Sequence, residues 1–180
     1  MKTRSERYKH EHRAQGLLSW IFAGLFGLAV VLFVLFVWFS PVHIADPSME
    51  PTLKSGDTVF YDRLYRHFHE YERGDMVVFR DPDTQELLIK RVVALGGETV
   101  EARDGVLIID GQFGMDEHRY AASKTPDFER VEVPEGMVFV LSDNRTLGGD
   151  SRIEAIGCLA PEDILGLVRV RIRDFTFFTR

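Results

Sequence analysis

Hydrophobic and polar positions divide the chain into two unlike stretches. Residues 17–39 are 23 consecutive positions without a charge, which at the helical rise of about 1.5 Å per residue cover roughly 34 Å, against a bilayer hydrocarbon core of about 30 Å. The pattern predicts a transmembrane helix that starts after Arg13-Ala14-Gln15 and stops before Pro41, with Trp20 and Trp38 near the two interfaces. A cleaved signal peptide is the competing reading, but the run exceeds an h-region of about 7–15 residues, and Ser40-Pro41-Val42-His43-Ile44 offers no small-x-small cleavage site.

Past Pro41 the apolar runs become short and are punctuated by Gly, Asp and Pro, the pattern of β-strands. Strands are predicted at 58–61, 76–79, 87–94, 99–102, 106–109, 131–133, 137–141 and 165–172. Asp104-Gly105 and Asp110-Gly111 carry hairpin-turn chemistry, because Gly supplies the positive φ that such turns require. Residues 63–71 read as a short helix or a loop, and Pro161-Glu162-Asp163 opens a helical turn over 161–164. The span 112–126 has too few apolar residues for a core and reads as an exposed loop or insertion. The expected architecture is a mainly β domain behind one N-terminal transmembrane helix: a basic cytoplasmic tail at 1–16, the membrane helix at 17–39 and an extracytoplasmic β-rich domain at 40–180.

Charge fits this division. Residues 1–16 hold five Lys/Arg against two Glu, net +3, which leaves −9 of the overall −6 for the rest. A basic N-terminal flank predicts a cytoplasmic N-terminus. An acidic domain in a chain with pI near 5.5 has no electrostatic footprint for nucleic acid. The single Cys158 excludes an intrachain disulfide and a multi-cysteine zinc site.

Three segments could carry chemistry. Ser48 lies between two prolines in Asp46-Pro47-Ser48-Met49-Glu50-Pro51-Thr52-Leu53, nine residues beyond the apolar run and so close to the bilayer surface. The prolines predict an extended, restricted segment that presents a hydroxyl, with a rigid turn as the plainer alternative. In the strand at 87–94, Leu88, Lys90 and Val92 share one face and Ile89, Arg91 and Val93 the other. An amine buried between apolar neighbours loses its proton more readily and could act as a base toward a serine; a snorkelling surface lysine is the alternative. Ser142-Asp143-Asn144-Arg145 through Gly148-Gly149-Asp150-Ser151-Arg152 follows an apolar strand with alternating carboxylates and arginines, a loop expected to cross-link itself, with Asp143 a partner for Arg91.

In this order behind an anchor, Pro47-Ser48-Met49-Glu50-Pro51-Thr52-Leu53, Lys90-Arg91-Val92-Val93 and the 142–152 loop resemble the bacterial type I signal peptidases, over residues 17–172. A single anchor and small outer domain resemble the Gram-positive form. The resemblance implies a β-rich Ser/Lys endopeptidase, monomeric and without cofactor or metal, that removes signal peptides from exported preproteins at the bilayer by cleaving after small residues in an Ala-x-Ala pattern. It makes Ser48 the nucleophile and Lys90 the general base, with Asp46, Met49, Arg91, Ser142, Asp143, Asp150, Ser151 and Arg152 around them and the Ser48 N–H in the oxyanion hole. Two positions depart from the family pattern. Asp46 stands where many members have a serine or glycine, and an ionised carboxylate there repels an oxyanion. Gly148 replaces a serine that bonds the lysine, so that Ser142, Ser151 or water must orient Lys90 instead.

Two other functions compete: a catalytically silent relative that binds peptides or partners, supported by Asp46 and Gly148, and a self-cleaving repressor of the related Ser/Lys fold, which needs no anchor. The remaining features have simpler readings. His67 and His69 fit a surface loop better than a metal site, His10 and His12 lie in the basic tail, and Gly96-Gly97 is a turn, since no Lys-Ser/Thr follows to make a phosphate loop. Phe175, Phe177 and Phe178 either meet the lipid interface or close the core.

Overall fold

A computed structural model of the chain describes residues 4–113, 121, 123–172 and 176–177, without the side chains of 4–18, 36, 37, 66, 176 and 177. Most of the span 112–126, together with Phe175, Phe178 and the side chain of Phe177, lies outside this description. The chain forms two compact units, Met1–Trp38 and Phe39–Arg180.

The first unit is one helix, α1 (Arg4–Trp38). It begins well before the predicted start after Gln15, because the Arg, Lys, Glu, Gln and Ala of the tail are good helix formers and polarity alone does not end a helix. Residues 19–35 are all exposed, including Trp20, Phe22, Phe26 and Phe33. Among the described residues no helix is long and apolar enough to cross a membrane.

The second unit opens on a strand that the hydropathy pattern hides. Strand β1 (Phe39–His43) continues directly from the apolar run and contains Pro41. Pro lacks the N–H of an interior ladder, and β1 lies at a sheet edge, where that loss is tolerated. The other strands are β2 (Thr58–Asp62), β3 (Met76–Arg80), β4 (Leu87–Leu95), β5 (Thr99–Arg103), β6 (Val106–Ile109), β7 (Gln112–Phe113), β8 (Phe128–Glu132), β9 (Val138–Leu141), β10 (Ile164–Arg171) and β11 (Thr176–Phe177). The domain is therefore mainly β. Strand β8 overlaps the predicted 131–133 but begins earlier, at Phe128, and ends at Glu132, since the Val133 N–H bonds Glu98 O and Pro134 follows. The only described helix here is the single turn α2 (Tyr65–Phe68).

Among the described residues these strands form two antiparallel sheets. The larger has the order β1-β2-β10-β3-β4-β9, with β11 on β10; the smaller has the order β7-β6-β5-β8. The Asp-Gly pairs make the tight turns around β6, with positive φ at Asp104 and Gly105 and again at Asp110 and Gly111. Strand β4 joins three apolar clusters: Ile89 packs with Met49, Leu53 and Val78, Val92 with Val77 and Val140, and Val93 with Val100 and Phe139. Strands β2 and β10 approach closely at Gly166, where any Cβ would run into the Asp62 carbonyl.

Candidate active site

Residues 46–53 do not run extended; of the two readings given above they take the plainer one, a turn. They form consecutive turns, with Glu50 N–H on Pro47 O at 3.1 Å and Leu53 N–H on Met49 O at 2.9 Å. Burial explains the folding back: Met49 and Leu53 are apolar side chains that reach the core only if the chain reverses here. Ser48 is carried on the first of these turns, 4% exposed, and its carbonyl accepts the Asn144 N–H at 2.8 Å.

Lys90 approaches it from β4. Its side chain is 1% exposed and its Nζ donates to Ser48 Oγ at 2.6 Å. Burial lowers the Lys90 pKa by penalising the ammonium; Asp46, Asp150 and Asp143 partly oppose that shift and Arg152 adds to it. Ser142 and Ser151, proposed above as substitutes for the missing hydroxyl at Gly148, do not bond Lys90. Ser142 Oγ donates to Gly148 O at 3.4 Å, and Ser151 Oγ accepts the Val140 N–H at 2.9 Å. Serine 48 is the hydrogen-bond partner of Nζ among the described residues. The backbone of Gly149, held at φ +80°, closes over the amine: a Cβ there would stand 3.9 Å from Lys90 Nζ.

Next to Lys90 in sequence, Arg91 has the opposite surroundings. Its Nε and Nη2 grip Asp143 Oδ1 and Oδ2 at 2.7 and 2.6 Å, and its Nη1 donates to Gly74 O at 2.7 Å. Thr52 Oγ donates to Asp143 Oδ2 at 2.6 Å, so the turn that carries Ser48 is tied to the same carboxylate. The 142–152 loop is cross-linked in the same way. Arg152 donates to both carboxylate oxygens of Asp150 and to the carbonyls of Arg145 and Leu147, while the Ser142 N–H donates to Asp150 Oδ2. Burial alone would raise the Asp150 pKa, but the hydrogen bonds from Arg152 and Ser142 hold it below the usual carboxylate value. Thr52, Gly74, Asn144 and Gly149 act in these contacts without having been singled out from the sequence.

Asp46 is exposed, yet its Oδ1 accepts the Ser48 N–H at 2.7 Å. This carboxylate therefore takes the very N–H that the family resemblance assigns to an oxyanion hole. It opens onto a cleft of about 380 Å³ whose lining includes Ile44, Ser48, Met49, Leu88 and Ile89. Such a site can deliver a buried serine hydroxyl, with an amine to take its proton, to a ligand held in a partly apolar cleft. His67 and His69 are exposed, His69 stacking on Tyr65, and among the described residues no cluster of His, Cys, Asp and Glu could hold a metal ion.

Comparison with known proteins adds three observations. The family model described as signal peptidase, peptidase S26, matches residues 17–173. A probable signal peptidase I-1 of Synechocystis sp. is 36% identical over 149 residues, covering 77% of this chain and 74% of that protein; signal peptidase I of Bacillus licheniformis is 30% identical over 167 residues, covering 88% and 89%. A crystal structure of a signal peptidase I from Enterococcus faecalis is 33% identical, covers 55% of this chain and 97% of that one, and superposes with a TM-score of 0.46.

Proposed function

The chain belongs to the signal peptidase family, peptidase S26, and on that premise we propose that it is a membrane-anchored serine endopeptidase that removes N-terminal signal peptides from exported preproteins. The observation that carries the mechanism is the 2.6 Å hydrogen bond between Lys90 Nζ and Ser48 Oγ, both buried. A lysine whose ammonium is penalised by burial, and whose hydrogen-bond partner is a neutral hydroxyl, is suited to work as a neutral base.

In this reading the free amine of Lys90 takes the Ser48 proton as Oγ attacks the scissile carbonyl. The resulting ammonium returns the proton to the leaving amine, which departs and leaves an acyl-enzyme at Ser48. Lys90, neutral again, takes a proton from a water as that water attacks the ester, and returns it to Ser48 Oγ as the acyl C–O bond breaks, releasing the product carboxylic acid and restoring both the hydroxyl and the free amine. The Arg91-Asp143-Thr52 and Arg152-Asp150 contacts hold the serine turn and the 142–152 loop against β4, so the two reacting atoms meet without reorganisation. Apolar walls at Ile44, Leu88 and Ile89 support a preference for small apolar residues such as those of an Ala-x-Ala site.

Anchoring is supported by the 23-residue uncharged run, which at its N-terminal end extends past the described side chains of α1, and by the exposure of every side chain at 19–35. A helix with that surface is stable when lipid surrounds it. The basic tail supports an N-terminus in the cytoplasm and a β domain outside, where enzyme and membrane-held substrate would share one surface. The test uses the full chain in detergent with a preprotein bearing an Ala-x-Ala site. Cleavage by the wild type and its loss in Ser48→Ala and Lys90→Met are expected; equal cleavage by all three rejects the mechanism.

A further inference from the structure

One contact in the site opposes the chemistry the site must perform. The Ser48 N–H points at Asp46 Oδ1, yet attack by a serine builds negative charge on the carbonyl oxygen, and the nucleophile's own N–H is a natural donor to that oxygen. A single N–H cannot serve a carboxylate and an oxyanion together, and two negative oxygens at one donor repel each other. We propose that Asp46 is a self-blocking positioning residue whose carboxylate occupies the oxyanion site of Ser48 in the resting protein and must leave it for acylation to proceed. This rests on the assignment of Ser48 as nucleophile.

Two further observations point the same way. Asp46 is exposed and borders the cleft, so its side chain can rotate into solvent without disturbing the apolar core. Its charge also acts on the base: of the groups facing Lys90, Asp46, Asp150 and Asp143 favour the ammonium and Arg152 opposes it. Glu86 and His43 border the same cleft and complete its charged lining. The resting carboxylate thus works against both halves of the reaction, engaging the oxyanion donor and favouring the protonated lysine. A peptide that fills the cleft and displaces Asp46 relieves both effects at once, so that full activity is reached only with substrate in place.

The experiment measures kcat/KM against pH for an Ala-x-Ala peptide with the full-length wild type, Asp46→Ala, Asp46→Asn and Ser48→Ala in detergent. Restoring a blocked oxyanion donor is expected to raise kcat/KM of Asp46→Ala at neutral pH by about tenfold or more. The rising limb of the profile, set by loss of the Lys90 proton, should move to lower pH in both Asp46 variants. Asp46→Asn keeps the shape and the acceptor oxygen but not the charge, so it should share the shift of the profile and gain less in rate. If Asp46 merely caps the turn, Asp46→Ala will lose activity, Asp46→Asn will retain it, and neither profile will move; that result overturns the proposal. Wild-type cleavage that persists in Ser48→Ala would instead remove the nucleophile assignment on which it depends.

Discussion

Lys90 and Arg91 are neighbours on one strand and both are buried, yet their surroundings differ in kind. Arg91 meets a carboxylate in bidentate geometry and a backbone carbonyl, while Lys90 meets one neutral hydroxyl. A buried cation that is matched donor for donor stays charged and fastens structure together; one that lacks an anion in contact favours its neutral form and becomes a base. The alternation of a strand is what allows adjacent residues to take these two roles, since it sends consecutive side chains to opposite faces. Rigidity and reactivity are thereby separated by a single residue of sequence.

The contrast can be broken from either side. Lys90→Met removes the proposed base and is expected to lower kcat by about 10²- to 10⁴-fold in a peptide-cleavage assay, without loss of stability. The sign follows from the lowered pKa. Below the folded value both states carry the proton and the folded state bears the cost of a buried ammonium; between the folded value and the ordinary 10.5 the unfolded chain binds more protons, so wild-type stability climbs with pH. Lys90→Met should lack that climb in denaturation curves taken across the window, and at neutral pH it should be at least as stable as the wild type. Asp143→Ala attacks the other side. It leaves Arg91 buried without its carboxylate and should cost about 3–5 kcal/mol in denaturant unfolding, with activity falling because the serine turn loses its tether through Thr52. Gly149→Ala sharpens the comparison least: its positive φ makes a side chain unfavourable by roughly 1–2 kcal/mol, and a thermal melt should report that loss with a modest fall in kcat, since the added methyl would touch Lys90.

Much of this was legible in the sequence where interactions are local. The Asp-Gly turns, the alternation of β4 and most strand positions follow from period and turn chemistry, and the Arg91-Asp143 pair could be guessed from charge. Strand β1 was not legible, because Phe39 extends an apolar run that reads as helix and Pro41 reads as a stop, whereas the edge of a sheet accepts both. The turns at 46–53 were legible only as the plainer alternative to an extended segment. Proline restricts the chain locally, but the burial of Met49 and Leu53 against residues far away in sequence decides its direction. Gly74 as an acceptor for Arg91, and Asp46 on the Ser48 N–H, are contacts of geometry that no residue type announces.

The central claim is that Lys90, bonded to Ser48, is a base with its proton already loosened. It is tested most directly by following the Lys90 side-chain resonance in selectively labelled full-length protein in detergent while the pH is raised, with Lys90→Met to assign the signal. A midpoint clearly below the ordinary lysine value of 10.5, moving further down in Asp46→Asn, is the predicted result. A midpoint at or above 10.5 would contradict the account, since an amine that keeps its proton that firmly cannot take one from Ser48.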